Sequence, residues 1–405
     1  MTSKIIKGLI DFNFFLSHSF SLYKPIFAFS KIAMLSFKDL GVNHQYCKSL
    51  KELGIKNPTE IQEKVIPILL HSKTDFIGLA QTGTGKTASY GLPILNSIDT
   101  KSSSVQALIL SPTRELVQQI KKQLFKFTKY SDEKIFVEAV YGGEKIDIQM
   151  NRLQRSTHII VATPGRLIDL INKGTINLRS IKTIVLDEAD EMLSMGFKKE
   201  LDTILGHTSG GRNTWLFSAT MPEEIQRIIS KYMAPNAARI IVNKNSLVNA
   251  NISHSYVVTP INEKVNAIIK LLDERSEERG IIFCRTKLGT QALTKELKEE
   301  GFSVEALEGD MQQKERDKVM RAFKNTNLQI LISTDVSARG IDVNNLGFII
   351  HHQLPEKLEY YTHRSGRTAR AGKKGDSIAL VSPNEIASIH NLAKNLGISI
   401  KELKK

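Results

Sequence analysis

Residues 80–87 read Ala80-Gln81-Thr82-Gly83-Thr84-Gly85-Lys86-Thr87. They follow Asp75-Phe76-Ile77-Gly78-Leu79, a short apolar run with the pattern of a buried strand. A strand that runs into a glycine-rich turn ending in Gly-Lys-Thr reads as a Walker A phosphate loop opening a helix. In such a loop backbone N–H groups face a polyphosphate, the lysine reaches the β and γ phosphates, and the threonine hydroxyl ligates Mg²⁺. Gly83, Gly85, Lys86 and Thr87 are therefore the first nucleotide-binding candidates, with Thr87 also a metal ligand. The general pattern starts with glycine, whereas this chain has Ala80.

Outward from this loop the chain is long enough, at 405 residues, for two domains. Short β-branched or aliphatic runs at 76–79, 105–110, 135–140, 158–162, 181–186 and 214–217 alternate with helical patterns. Such alternation predicts an α/β domain over 34–242 with a mostly parallel sheet covered by helices on both faces. The polar stretch 243–252 reads as a linker. A second α/β series over 253–405 has runs at 253–258, 280–283, 304–307, 329–332, 348–351 and 377–381 and no phosphate loop of its own. Two similar sheets with one loop between them suggest a nucleotide clamped between domains.

Lys and Arg number 56 against 42 Asp and Glu, and the net charge of +14 suits a polyanionic partner. Residues 1–33 differ from the rest, rich in Phe, Ser, Ile and Lys and without arginine. They read as an extension that Met34 can replace as a start, rather than as a sorting signal. Lys4, Lys7, Lys24 and Lys31 against Asp11 make them three of the fourteen net charges, so the basic balance survives without them. Only Cys47 and Cys284 are present, which indicates neither a disulfide framework nor a zinc site and fits a cytoplasmic setting. No uncharged apolar run approaches the ~18 residues of a membrane span.

A phosphate loop needs a metal-holding carboxylate at the end of another strand. Ile181-Lys182-Thr183-Ile184-Val185-Leu186 runs directly into Asp187-Glu188-Ala189-Asp190. Asp187 is placed to hold Mg²⁺, and Glu188 to orient and deprotonate an attacking water. With these four residues in place, the chain from Phe37 onward resembles the DEAD-box RNA helicases of helicase superfamily 2. The resemblance implies two tandem RecA-like domains, ATP and Mg²⁺ as cofactors, and RNA as the partner.

Motif by motif, Gly54-Ile55-Lys56-Asn57-Pro58-Thr59-Glu60-Ile61-Gln62 resembles the family's Q motif, in which Gln62 pairs with the adenine edge and the upstream Phe37 stacks on the base. Three loops of the first domain resemble RNA-backbone contacts: Thr113-Arg114 within Ser111–Leu116, Gly142-Gly143, and Thr163, Gly165 and Arg166 within Thr163-Pro164-Gly165-Arg166. In the second domain, Arg285, Gly309 with Gln313 and Arg316, Thr334 and Arg339 resemble further RNA contacts. Asp342 resembles the ATP ribose contact, and Ser337 stands where many members have alanine, a change expected to be silent. Ser218-Ala219-Thr220 matches the motif that couples nucleotide to RNA, and its hydroxyls are expected to bond Asp190. His363 belongs to the same coupling set, in His363-Arg364-Ser365-Gly366-Arg367-Thr368-Ala369-Arg370, where Arg367 and Arg370 resemble arginine fingers. Ser365 and Ala369 replace a larger apolar residue and a glycine of many members.

The expected activity is RNA-stimulated ATP hydrolysis by a monomer that grips single-stranded RNA or a short duplex, mainly through sugar and phosphate. Local strand separation or remodelling of ribonucleoprotein follows. A DNA translocase of the same superfamily is opposed by the Q motif and Asp187–Asp190. An ATP-dependent RNA clamp with little unwinding stays open as an alternative, and protein partners and the cellular RNA are not legible.

Overall fold

The computed structural model describes residues 35–404 apart from 82, 209–210, 243–248, 276, 339–340, 342, 344–345 and 370–372. Seven strands form the first sheet: β1 (Phe76–Leu79), β2 (Ala107–Leu110), β3 (Val137–Val140), β4 (Ile159–Ala162), β5 (Thr183–Leu186), β6 (Asn213–Ser218) and β7 (Ala238–Ile241). Seven more form the second: β8 (Ile252–Val258), β9 (Gly280–Phe283), β10 (Val304–Leu307), β11 (Ile330–Ser333), β12 (Phe348–His351), β13 (Gly375–Val381) and β14 (Ile400–Glu402). All the strand pairings are parallel.

The first sheet has the order β3-β4-β2-β5-β6-β1-β7 and the second β10-β11-β9-β12-β13-β8-β14. Shifted by seven strands, the two orders are identical, so the second domain repeats the topology of the first. Strand periodicity explains the cores. Successive side chains point to opposite faces of a sheet, so an apolar run buried on both sides feeds two cores at once. Phe76, Ala107 and Ile109 enter one core and Ile77, Leu108 and Leu110 the other. In the second sheet Ile282 and Ile281 divide in the same way.

Every expected strand is present: four coincide with the expectation, four are shorter by one or two residues, three are longer by one or two and one is shifted by one, and β7 and β14 were not anticipated. Both lie at a sheet edge, beside β1 and β8 respectively. An edge strand is partly solvated, and β7 alternates half-buried and exposed residues, so neither shows the continuous apolar run of an inner strand. The expected linker 243–252 overlaps β8 at Ile252, and 243–248 lie outside the described residues.

Parallel sheets collect their ligands at the carboxyl ends of the strands. Neighbouring strands lie ~4.8 Å apart, so the order decides which loops meet. The phosphate loop follows β1, Ser218-Ala219-Thr220 continue from β6, and Asp187 follows β5, three adjacent strands of one half-sheet. The loops with Thr113, Gly142-Gly143 and Thr163 follow β2, β3 and β4, the other half. In the second sheet Arg285, Gly309 and Thr334 follow β9, β10 and β11, the topological equivalents of β2, β3 and β4.

Candidate active site and nucleic-acid interface

The phosphate loop is shaped by two glycines with positive φ, +81° at Gly83 and +98° at Gly85. Gly85 caps the helix Lys86–Ser97, whose free N–H groups and dipole favour an anion. It also has no room for a side chain, because a Cβ would stand 2.3 Å from Gln62 Nε2 and 3.1 Å from Thr59 Oγ1. Both residues brace the loop, Gln62 Nε2 donating to the Gly85 carbonyl at 3.1 Å and Thr59 Oγ1 to the Thr84 carbonyl at 2.8 Å. At Gly83 a Cβ would meet nothing within 4 Å. Gly85→Ala is therefore expected to lower the melting temperature and weaken nucleotide binding at least ~10-fold, since it adds a clash to the ~1–2 kcal/mol of a left-handed alanine. Gly83→Ala carries only the backbone cost. Equal melting shifts in the two variants would discount the brace.

The brace gives Gln62 a structural role beside the expected one. Its Oε1 accepts from the Thr59 backbone N–H at 2.9 Å, so both ends of the amide are held within the protein. Phe37 packs in the first core. It is 4% exposed there.

Lys86 Nζ donates to the Ala80 carbonyl at 3.1 Å, under the loop. Asp187 and Glu188 are buried at the end of β5. Glu188 has φ 51° and ψ 51°, a left-handed conformation that costs a non-glycine residue of order 1–3 kcal/mol and is held by its surroundings. Burial pushes both carboxyls above their usual range, and the positive charge of Lys86 opposes this at each. At Glu188 the Arg367 guanidinium of the second domain opposes it as well. Lys86 and Arg367 thus act on one buried carboxylate from two domains. Arg367 is 7% exposed and anchored through Nη1 to the Ile341 carbonyl at 2.9 Å. Three residues earlier Arg364 grips Asp335 with two bonds of 2.5 and 2.7 Å, which ties the helix Leu358–Ser365 to the end of β11. Arg370 and Asp342 lie outside the described residues.

Asp190 Oδ2 accepts from the Thr220 hydroxyl at 2.9 Å and from the backbone N–H groups of Thr220 and Ala219 at 2.9 and 3.2 Å. This matches the expectation for Thr220 but not for Ser218, whose buried hydroxyl has no hydrogen-bond partner among the described residues. Across the domain boundary His363 Nδ1 lies against Glu191 Oε1. Burial alone would lower the imidazole pKa, but the Glu191 hydrogen bond and the surrounding acids outweigh it and raise it.

The loops assigned to RNA also meet across the boundary. Arg316 Nε donates to Glu115 Oε1 at 2.6 Å, and Arg114 Nη2 to Asp317 Oδ2 at 3.3 Å. Gly143, with φ +85°, sits so that a Cβ would be 3.3 Å from both Arg114 Nη1 and Gln313 Oε1. Arg114 Nη1 is buried without a hydrogen bond among the described residues. Thr113 caps the helix Arg114–Phe127 by accepting from the Leu116 N–H, and Thr163 caps the helix Pro164–Asn172 with no side-chain bond. Gly165 has open space around it, and Arg166 Nη1 donates to the Glu144 carbonyl. Arg285 Nη2 donates to the Leu354 carbonyl, and Gly309 lies beside Lys287. Thr334 donates to the Ser337 hydroxyl at 3.1 Å, a bond that an alanine could not accept. Arg339 lies outside the described residues. Ser365 bonds Ser377 in the core at 2.8 Å, and Ala369 has φ +54°, the conformation that suits glycine.

Four residues were missed by the sequence reading. Tyr90 donates its hydroxyl to Asp187 Oδ2, and its helical spacing from Thr87 was a usable signal. Glu191 directly follows the quoted acids. Glu115 and Asp317 make ion pairs across about half the chain, for which no local pattern exists.

A phosphate loop on one sheet and an arginine from a second sheet acting on one buried carboxylate define a two-domain, nucleotide-driven helicase core. Residues 59–228 match the DEAD/DEAH box helicase family, and 263–372 match the helicase conserved C-terminal domain. The chain belongs to the DEAD-box ATP-dependent RNA helicases. It is 40% identical over 372 residues to the DEAD-box ATP-dependent RNA helicase CshA of Geobacillus kaustophilus, covering 92% of this chain and 79% of the relative. S. cerevisiae Dbp5 bound to RNA and ADP BeF3 is similar with a TM-score of 0.84 at 31% identity, over 92% of this chain and 96% of that one. Mss116p bound to single-stranded RNA and AMP-PNP gives 0.83 at 30%, over 93% and 81%.

Proposed function

We propose that this chain is an RNA-stimulated ATPase that closes two domains around ATP and RNA and separates short RNA duplexes locally. The observation that carries the reading is the division of the two sheets. One half of the first sheet gathers the phosphate loop, Asp187 and Thr220, while equivalent halves of both sheets present the loops assigned to RNA. A strand of RNA lying across both domains favours the closed arrangement, and closure brings Arg367 to Glu188. Linkage then requires ATP to tighten RNA binding. The RNA carried by Dbp5 and Mss116p in structures of similar shape supports the partner.

In the hydrolytic step Glu188 takes the proton of the attacking water, Lys86 holds the β and γ phosphates, and Arg367 and Arg370 stabilise the charge that develops on the transferred group. Thr87 and Asp187 would hold Mg²⁺, and their oxygen donors suit that hard cation. A buried carboxylate raised by desolvation is a site short of positive charge, so the residues fit the ion. When bound, Mg²⁺ neutralises charge on the phosphates. Asp190, Ser218, Thr220 and His363 link this site to the boundary, with Asp190 and Thr220 joined directly. Thr113, Arg114, Gly142, Gly143, Thr163, Gly165, Arg166, Arg285, Gly309, Gln313, Thr334 and Arg339 are proposed to contact RNA. Opening four base-pair steps costs about 6 kcal/mol at ~1.4 kcal/mol each, taking the DNA value as a guide. That is near the ~5.5 kcal/mol that fully switches a two-state equilibrium, so short duplexes suit one closure. A cytoplasmic monomer is the proposed form. Among the described residues no helix is long and apolar enough to cross a membrane.

The test is ATP turnover with single-stranded RNA and with DNA of the same sequence, alongside separation of a short RNA duplex. RNA is expected to stimulate turnover at least ~10-fold and DNA to have little effect, because the 2′-hydroxyl discriminates them. Equal stimulation by DNA would refute the RNA assignment.

A further inference from the structure

Tyr90 carries an interaction that none of the assignments above uses. It lies three residues after Thr87 and four after Lys86 in the helix Lys86–Ser97, so the three side chains share one face of that helix. Its hydroxyl donates to Asp187 Oδ2 at 2.8 Å. The other carboxylate oxygen, Oδ1, accepts from the Glu188 backbone N–H at 3.0 Å. Each oxygen therefore has a donor from a different element, and the two together set the rotation of the carboxylate about its Cβ–Cγ bond.

The ring itself is an ordinary core member. It is fully buried and packs on Phe217 with centroids 5.3 Å apart, and Phe217 packs on Phe76 at 5.5 Å. A phenylalanine would supply that packing equally well. What the hydroxyl adds is a directed bond to the carboxylate proposed to face the metal, beside a contact with the Thr87 hydroxyl.

We infer that Tyr90 is a positioning residue for the divalent cation that accompanies ATP: its hydroxyl holds the Asp187 carboxylate in the orientation that presents it, together with Thr87, to that ion. Tyr90 touches neither substrate nor metal in this scheme and acts through Asp187. The inference rests on the ATPase reading and deepens it at one carboxylate.

The experiment is an equilibrium Mg²⁺ titration of fluorescent ADP binding to the full chain, for the wild type and Tyr90→Phe, with melting curves for both. A hydrogen bond to a charged group is worth about a factor of ten or more, so the half-saturating Mg²⁺ concentration is expected to rise ~10-fold in Tyr90→Phe. Metal-free ADP affinity is expected to stay as in the wild type, which a general loosening of the helix would not allow. The same substitution on an Asp187→Asn background is expected to have no further effect on the Mg²⁺ dependence. Titrations are run below both melting transitions, so lower stability does not enter the comparison. Overlapping Mg²⁺ curves for wild type and Tyr90→Phe would overturn the inference, as would parallel losses of metal-free and metal-dependent affinity. A wild type whose ADP binding ignores Mg²⁺ would overturn the metal site in the ATPase reading itself, an outcome distinct from the other two.

Discussion

Replacing Arg367 with alanine is expected to lower RNA-stimulated ATP turnover by about 10³- to 10⁵-fold while ATP and RNA still bind. The size of the effect comes from two contributions of one guanidinium. As a finger it would meet charge developing on the γ-phosphoryl group, in a buried setting where such charge is poorly screened. In the protein alone, its charge already opposes the burial that raises the Glu188 carboxyl. Removing it leaves Lys86 to oppose burial and lets that carboxyl rise further. A base works only when ionised, so the acid limb of the pH–turnover profile is expected to move to higher pH in Arg367→Ala. Arg367→Lys keeps the charge without the planar fork and should restore the acid limb better than the rate. Steady-state turnover at saturating RNA across a pH series reads both effects. A loss of less than tenfold with an unmoved acid limb would remove Arg367 from the reaction.

The legible parts of this site are those in which chemistry and local backbone coincide. Gly83, Gly85, Lys86 and Thr87 follow a strand and open a helix, so their spacing alone implies a phosphate cradle, and the structure supplies the strand, the positive φ angles and the helix. Asp187 and Glu188 end a buried run and can be read in the same way. Arg367 could be assigned only through family resemblance, because its meeting with Glu188 depends on how two domains close. Gln62 is legible in part. Its motif was recognised, but its second use, bracing the loop through Thr59 and Gly85, shows only in the structure. Edge strands β7 and β14 escaped because half-solvated strands lack the apolar run that marks inner ones. The pairs Arg316–Glu115 and Arg114–Asp317 lie in loops where a charged residue is unremarkable, and they become visible only when the domains are placed together.

Glu188→Gln is expected to reduce ATP turnover by about 10²- to 10⁴-fold, the range for loss of a general base, and to do so without unfolding the protein. Glutamine keeps the length and shape of the side chain and loses only the ionisable oxygen. Its effect on stability has a definite sign. Burial raises the Glu188 pKa in the folded state above that of the unfolded chain, so the folded state binds the extra proton. Stability is then lost as pH rises from the ordinary carboxylate range through the raised folded value. Glutamine has no charge to bury and escapes that loss, so near neutral pH the variant is expected to melt at the wild-type temperature or above it. With hydrolysis slowed and the domains still able to close on ATP, its complex with RNA should also outlive that of the wild type. Melting curves, turnover and the dissociation rate of labelled RNA in the presence of ATP test the three claims on one protein. Turnover near the wild-type rate would remove Glu188 as the base. A slow but destabilised variant would instead mean that the buried carboxylate supports the fold, contrary to the sign its environment implies.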